Sequence, residues 1–354
     1  MPGATGLTGL ESMKFVISPA PHVVTGTSVP WVMGQVLLAL LPVAAVHVAL
    51  HGPGLVLQLA ICGPTALLCE AVALRARRRD PWPALRDGSV LVTAALLALS
   101  VPPLLPWWIA AFGTAIAVLL GKHVYGGLGR NPFNPAMVGY AVLLVSFPLE
   151  MTRWPPPGAG WFDLARDTLS AFYSGQTPAA ATWDAYTGAT ALDQLRTGLG
   201  QRYTMQEILA GPAFGRIGGA GAQWANAAAL LGGAYLVLRG IVRWHIPVAV
   251  LAGIAVPAAL MHAVDAGAHA SATFQLFSGA TMLGAFFIAT DPVSAATSER
   301  GRLIYGAGIG MLTWLIRTWG AYPDGLAFAV LLMNVSVPLL DRYTIPRIHG
   351  HARR

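Results

Sequence analysis

Long apolar stretches separated by short polar segments recur along almost the whole chain, and they constrain its fold more than any other feature. The first two, residues 31–50 and 54–74, together contain a single charged side chain, Glu70. A membrane-spanning helix needs about 20 predominantly apolar residues. Charged residues make up 10% of the 354 residues, whereas soluble domains have about 25%. The sequence therefore predicts an all-α, polytopic membrane protein.

About ten such stretches are present, some of them short or broken by Pro or Gly. The predicted transmembrane helices are 31–50, 54–74, 88–104, 107–121, 133–149, 222–239, 245–264, 272–290, 302–318 and 325–340. They form membrane repeat 1 (31–149, five helices) and membrane repeat 2 (222–340, five helices). The remaining parts are an N-terminal lead (1–30), a long polar loop (150–221) and a basic tail (341–354).

The positive charges indicate how the chain is oriented. With a cytoplasmic N-terminus, the cytoplasmic loops hold most of the Lys and Arg residues, while the short opposite loops around 105, 265–271 and 319–324 hold none. Cytoplasmic loops of membrane proteins are enriched in these residues. We therefore predict that both termini are cytoplasmic and that 150–221 lies outside the cytoplasm. The net charge of +7 forms no clustered basic face, so we predict no nucleic-acid partner.

The two halves of the chain resemble each other. Asp87–Pro102 aligns with Ser278–Pro292, about 190 residues later, and each begins with a Gly-centred turn and ends at a Pro. Because five helices per half is an odd number, the halves would have opposite orientations, as in inverted repeats built from short broken helices. Chance similarity between apolar sequences is the alternative.

One short motif occurs twice in different surroundings. Asp184-Ala-Tyr-Thr187-Gly188-Ala189-Thr190 lies in the polar loop, whereas Ser278-Gly-Ala-Thr281 lies inside an apolar stretch and has Gln275 in place of the Asp. If the motif marks a chemical modification, water-soluble enzymes reach the first copy and not the second. Residues 184–190 alone are more typical of a loop that ends in a helix N-cap, at Thr187 or Thr190.

A second polar element interrupts the apolar sequence at Asn131-Pro-Phe-Asn134-Pro, which follows the glycine-rich stretch Gly126–Gly129. Proline and glycine at this density exclude a regular helix. Non-helical backbone at membrane depth must be satisfied by protein or by a cavity. Two interpretations are open: a site for a polar ligand, or asparagines that cap a helix beginning at Pro135.

Two acidic residues, Glu70 and Asp291, also allow two interpretations each. Glu70, inside the second apolar stretch, takes part in cation passage or extends towards Arg75 and Arg77. Asp291 is either a functional acid near the interface or the cap of the following helix. Asp324 is predicted to form a turn and a helix cap. The sequence contains no catalytic triad, phosphate-binding loop or metal-ligand spacing, so we predict no catalytic residue and no metal site.

Four stretches in the same order resemble the RnfD/NqrB family. They are Gly126–Pro135, Asp184–Thr190, Met282–Pro292 and Tyr322–Asn334. The resemblance extends over residues 13–350, and the short N-terminal lead is more similar to RnfD than to the longer NqrB.

This resemblance implies a membrane subunit of an Rnf complex, which passes electrons between ferredoxin and NAD and couples them to Na⁺ or H⁺ transport. It implies a bacterial inner-membrane location, the partners RnfA, RnfB, RnfC, RnfE and RnfG, and contact with membrane lipid. It also implies FMN joined to Thr190 through a phosphoester by a flavin transferase. That enzyme would read Asp184, Thr187, Gly188 and Ala189, with Thr187 in place of the commoner Ser. A riboflavin would lie near Asn131 and Asn134.

Two other functions compete with this interpretation. A channel or secondary transporter with two inverted repeats of five helices each would use the polar loop as a structural lid and would carry no flavin. An NqrB-type subunit would instead take part in quinone reduction.

Overall fold

Apart from isolated β-bridge residues, among them the pair Phe214 and Gly219, every regular element that the structure describes is a helix. The structure is a computed structural model and describes residues 28–155, 161–174, 189–320, 322 and 324–344. This confirms the predicted all-α class. The predicted N-terminal lead and basic tail lie almost wholly outside the described residues.

The first half of the chain contains seven described helices, of which the fifth continues as a π-helix, Ala117–His123. They are α1 (Val29–His51), α2 (Gly54–Ala76), α3 (Trp82–Leu85), α4 (Ser89–Ser100), α5 (Trp107–Ile116), α6 (Pro135–Ser146) and α7 (Pro148–Thr152).

The described part of the polar loop contributes α8 (Trp161–Ser174), α9 (Ala191–Gly200) and α10 (Met205–Leu209). The second half follows, and its fourth helix continues as a π-helix, Gly284–Ile288. Its helices are α11 (Ala222–Leu238), α12 (His245–Val264), α13 (Ala272–Leu276), α14 (Thr281–Leu283), α15 (Glu299–Trp319) and α16 (Leu326–Thr344).

Within the described residues, four helices are long and apolar enough to cross a membrane: α1, α2, α12 and α16. Shorter apolar helices accompany them, namely α4, α6 and α5 with its π-helical extension. The buried apolar side chains of both halves form one continuous core. These features agree with a polytopic membrane protein.

The two halves pack through helices that approach closely at small residues. A Cβ added at Gly232 of α11 would collide with the backbone carbonyl of Ala39 in α1. Nearer the end of α11, the Tyr235 hydroxyl donates to the Gln35 side chain. Since the contact moves towards the start of α1 as α11 proceeds, the two helices are antiparallel. Such close approach at small residues is the usual basis of helix packing in membranes.

Basic residues collect at one end of the helix bundle, which we call the basic end. Here Arg239 at the end of α11 lies over the Trp31 ring at the start of α1, with its Cζ 5.8 Å from the ring centroid. Arg243 pairs with Glu299 at the start of α15, at 3.3 Å. The segments that meet at this end also carry nine further basic residues, Arg75, Arg77, Arg78, Arg79, Arg86, Lys122, Arg300, Arg302 and Arg342, and the acidic residues Asp80, Asp87 and Asp341.

The opposite end carries the polar loop, and we call it the loop end. His51, the last residue of α1, lies there with its Nδ1 3.1 Å from the carbonyl oxygen of Pro155. A hydrophobic cluster joins α9, α10 and α13 at the same end; its buried members are Leu192, Leu195, Met205, Ala270 and Phe274.

Most predicted spans match a helix to within a few residues. The prediction that 272–290 is one continuous helix is wrong. It is broken between α13 and α14, where Gly279 has a φ of +60°. This left-handed conformation is favourable for glycine and ends any helix that reaches it. Predicted span 88–104 also ends early, at Ser100, because Pro102 and Pro103 follow.

The contact between α1 and α11 predicts a large effect of one added methyl group. Gly232→Ala should destabilise the protein by about 1–3 kcal/mol, because the methyl group has no space beside Ala39. Gly34→Ala on the exposed face of α1 is the control, since no atom lies within 4 Å of its added Cβ. Thermal unfolding in detergent measures both variants, and equal midpoints would contradict the packing described here.

Candidate functional site

Thr190 begins a helix of the polar loop. It is the N-cap of α9, and its side chain accepts a hydrogen bond from the Asp193 N–H at 3.3 Å. Thr190 is half-buried, and the preceding Ala189 is exposed. The N-cap interpretation of the motif therefore holds at Thr190. Asp184, Thr187 and Gly188 lie outside the described residues.

Helix α9 packs closely against two glycines, Gly219 in the loop segment before α11 and Gly279 in the turn before α14. A Cβ added at Gly219 would lie 2.8 Å from the Cβ of Ala191. One added at Gly279 would lie 2.9 Å from a methyl carbon of Leu192. The Gly219 N–H donates to the Ser278 hydroxyl at 3.1 Å, so the residues directly after Thr190 contact both the turn before α14 and a loop segment that is bonded to it.

The second copy of the motif has a different role. Thr281 is completely buried, and its hydroxyl donates to the carbonyls of Gln275 (3.0 Å) and Ser278 (2.9 Å). It also accepts from Arg317 at 3.0 Å. This confirms that protein surrounds Thr281 and that Ser278–Thr281 is the turn at which a helix starts.

Buried polar groups from distant segments hold this turn in place. Asn226 of α11 donates to the Gly279 carbonyl and accepts from the Met282 N–H, both at 2.8 Å. Asp324 accepts from the Ala280 N–H at 3.0 Å. The interrupted backbone thus obtains its hydrogen bonds from α11 and from the segment before α16.

Arg317 lies at the centre of these contacts, and sequence reasoning missed its role. Its side chain is 1% exposed and pairs with Asp324 at 3.2 Å. The guanidinium also donates to the Gln275 carbonyl at 2.8 Å. Asp324 in addition accepts from Leu326 N–H at 3.2 Å, so its predicted role as a helix cap is confirmed. An arginine in the last turn of an apolar helix, followed closely by Pro-Asp-Gly, was the available signal.

The two asparagines of the Asn-Pro loop occupy different positions. Asn134 caps α6, accepting from Met137 N–H at 3.3 Å, and donates to the carbonyl of Ile288 in the second half at 3.1 Å. Asn131 is 3% exposed and donates to the Phe133 carbonyl at 2.9 Å. Its Oδ1 is buried and has no hydrogen-bond partner within the described part of the chain. The capping interpretation therefore fits Asn134, and Asn131 retains an acceptor for a ligand.

A further buried polar group connects Asn134 to α16. In the orientation that satisfies both of its polar atoms, the Asn334 amide accepts from the Asn134 N–H at 3.0 Å. Its nitrogen then donates to the Ser294 carbonyl at 3.3 Å and lies 2.6 Å from the Tyr305 hydroxyl. The Asn-Pro loop is thus held by side chains and backbone of the second half.

Glu70 lies in a buried cluster near the basic end. Its carboxylate accepts from Lys122 at 2.9 and 3.0 Å, and the His123 Nε2 lies 3.0 Å away. Lys122 also donates to the Ser89 hydroxyl at 3.1 Å. The predicted extension of Glu70 towards Arg75 and Arg77 is therefore wrong, because Lys122 is a nearer partner inside the bundle.

Asp291 does not cap a helix. Its carboxylate accepts from the Ser294 hydroxyl at 2.7 Å within the turn that follows the π-helix. The next helix, α15, begins eight residues later and is capped by Ser298, which accepts from the Gly301 N–H at 2.9 Å. The predicted helix-cap role of Asp291 was wrong because Ser298 lies directly before α15.

Comparison with known proteins shows which family has these elements. The pattern of the NQR2, RnfD, RnfE family matches residues 16–350. The chain belongs to the NQR2, RnfD, RnfE family. Relatives named as the D subunit of an ion-translocating oxidoreductase complex occur in Pseudomonas aeruginosa (strain LESB58), 51% identical over 338 residues, and Salmonella paratyphi A, 45% identical over 355 residues. The first alignment covers 94% of this chain and 95% of the relative, and the second covers 96% and 100%.

The buried Glu70–Lys122 pair predicts non-additive effects on stability in this member of the family. Glu70→Gln and Lys122→Met should each cost about 3–5 kcal/mol, because each leaves a buried charge without its partner. The double variant should cost much less than the sum. Chemical unfolding in detergent measures the three variants, and strictly additive losses would show that the two charges do not depend on each other.

Proposed function

We propose that this chain is the flavin-carrying membrane subunit of an Rnf-type ion-translocating oxidoreductase complex, with FMN attached covalently to Thr190. One observation carries the proposal. Of the two similar motifs, Thr190 presents its hydroxyl at the start of a helix in the polar loop, whereas the hydroxyl of Thr281 is buried and hydrogen-bonded. Thr190 is therefore the hydroxyl that a modifying enzyme reaches.

The position of Thr190 suits a phosphoester. The bond joins its Oγ1 to the FMN phosphate and leaves the flavin ring free for one- and two-electron chemistry, which the cofactor supplies when bound. The N-terminus of α9 directs backbone N–H groups towards this position, and helix N-termini stabilise phosphate groups. Asp184, Thr187, Gly188 and Ala189 complete the sequence that the flavin transferase reads.

The membrane part consists of two inverted repeats of five helices each, 31–149 and 222–340. Three observations support this arrangement. Helices α1 and α11 are antiparallel. Gly88 and Gly279, at equivalent turns, have φ values of +76° and +60°. Each repeat also places a buried cation from its fifth described helix against the start of its fourth: Lys122, in the π-helical continuation of α5, lies beside Ser89 of α4, and Arg317 of α15 lies beside Thr281 of α14.

The basic end faces the cytoplasm, together with the lead (1–30) and the tail (341–354), and the loop end faces the periplasm. The arginines gathered at the basic end support this orientation, since cytoplasmic surfaces of membrane proteins are enriched in Lys and Arg. The loop 150–221, with Thr190, is then on the side where the flavin transferase works. The membrane is the bacterial inner membrane.

A riboflavin binds beside the Asn-Pro loop. Asn131 is the better ligand, because its buried Oδ1 has no partner within the described residues and would accept from an N–H of the flavin ring. Asn134 already has hydrogen bonds to both halves and positions the loop.

The chain works together with RnfA, RnfB, RnfC, RnfE and RnfG. The complex passes electrons between ferredoxin and NAD and couples this transfer to the transport of Na⁺ or H⁺. This chain has no iron–sulfur or dinucleotide-binding pattern in its sequence, so partner subunits supply those steps.

Replacement of the acceptor hydroxyl tests the attachment site. Thr190→Val should abolish the flavin fluorescence of the subunit on a denaturing gel, because no oxygen remains to carry the phosphate. Thr281→Val, the matched control in the second motif, should keep it, and so should Thr187→Ser. A fluorescent Thr190→Val band, or a colourless native subunit, would refute the assignment; the second result is expected of a transporter.

Cysteine labelling tests the orientation. Tyr203, which is 54% exposed, lies between α9 and α10, and Arg79 follows α2 at the basic end. A membrane-impermeant maleimide should label Tyr203→Cys in intact spheroplasts and Arg79→Cys only after the membrane is opened. Native Cys62 is buried, and the unmodified chain gives the background from Cys69. The reverse pattern would show that the proposed orientation is inverted.

A further inference from the structure

The helix that follows Thr190 contacts the membrane part at a turn built by buried charges. Leu192, two residues after Thr190, lies against Gly279, where an added Cβ would be 2.9 Å from its methyl carbon. The same added Cβ would lie 2.7 Å from a guanidinium nitrogen of Arg317. Arg317 therefore lies directly beneath the surface on which the first turn of α9 rests.

Arg317 makes contacts that another cation would not reproduce. Its guanidinium donates to the carbonyls of Gln275 (2.8 Å) and Ser278 (3.3 Å) and to the hydroxyl of Thr281 (3.0 Å). It also pairs with Asp324 at 3.2 Å. The planar group has five N–H donors in fixed directions, whereas a lysine ammonium is a compact charge with three. A lysine here would keep the charge and lose part of the geometry.

Asp324 completes the support from the other side. It accepts from the Ala280 N–H at 3.0 Å and from the Leu326 N–H at 3.2 Å, which joins the turn to the start of α16. The left-handed Gly279 lies between these contacts, and its φ of +60° depends on the backbone being held on both sides. The surface under Leu192 is thus fixed by hydrogen bonds that are buried in the bundle.

We infer that Arg317 is a positioning residue for the flavin: it holds the Ser278–Thr281 turn on which α9 docks, and so fixes where Thr190 lies on the loop end. This inference rests on the proposed attachment of FMN to Thr190. The helix that carries the flavin is then fixed to the second repeat, and electron transfer to the flavin depends on a contact that does not touch it.

The test uses the purified complex with Arg317→Lys in this subunit. Covalent flavin, measured by gel fluorescence, should match the unmodified chain, because the transferase reads 184–190 and not the turn. Reduction of that flavin after addition of NADH, followed by stopped-flow absorbance, should slow about tenfold, since small displacements of reacting groups cost this much or more. An unchanged rate with normal flavin content overturns the inference.

A disulfide distinguishes docking from a general loss of structure. Ala191→Cys with Gly219→Cys places two thiols where the Cβ positions are 2.8 Å apart, within a small shift of the usual disulfide separation of about 3.8 Å. With the disulfide closed, flavin reduction in the Arg317→Lys variant should be within about twofold of the rate in the same cysteine pair with Arg317 retained. Cleavage of the disulfide by a reducing agent should abolish this gain. Failure of the closed disulfide to restore the rate overturns the inference.

A second variant keeps the test decisive if Arg317→Lys does not assemble. Leu192→Ala removes the same contact from the α9 side and leaves the buried charges intact, so its flavin reduction should also slow and be restored by the disulfide; a normal rate overturns the inference. If the unmodified chain carried no covalent flavin, the proposed function itself would be overturned. That result differs from a normal rate of flavin reduction in a flavinylated variant, which overturns only the inference about Arg317.

Discussion

The arrangement of the second half of the chain depends on one constraint: backbone that leaves the helical conformation inside an apolar bundle must find polar partners within the protein. The turn at Gly279 satisfies this requirement through Arg317, Asp324 and Asn226, which come from three different segments. These hydrogen bonds hold the turn from several sides. It offers a firm surface at the end of the bundle, and the helix that starts at Thr190 rests on it.

A buried cation also contacts the start of a short helix at the other end of the bundle. Lys122 reaches the Ser89 hydroxyl at the start of α4, with Glu70 as its counter-charge. Between the two ends, Asn134 donates to the Ile288 carbonyl and joins the halves. Buried polar groups therefore fix the starts of α4, α6 and α14, while apolar packing and small residues hold the long helices together. In the proposed function, these fixed starts place one flavin at the Asn-Pro loop and another at Thr190.

Local patterns in the sequence predicted what depends on nearby residues. The lengths of the apolar stretches predicted most of the helical spans. The order Asn134-Pro135 allowed a helix cap, and the structure confirms this interpretation. The repeat predicted the Gly-centred turn at Ser278 but not that it interrupts the span 272–290, because the hydrogen bonds that stabilise the interruption come from Asn226 and Arg317, which are far away in the sequence. Glu70 was given the wrong partner for the same reason, since 52 residues separate it from Lys122.

Mass spectrometry of the native protein shows directly whether a flavin is bound covalently at the start of α9. Trypsin releases Thr190 in the peptide 167–196, which ends at Arg196, and releases Thr281 in the peptide 244–300. Peptide 167–196 is expected to carry the mass of one FMN less one water, localised to Thr190 by fragmentation, and peptide 244–300 is expected to be unmodified. An unmodified 167–196 peptide from a fully assembled complex, or an adduct on Thr281, would contradict attachment of the flavin to Thr190.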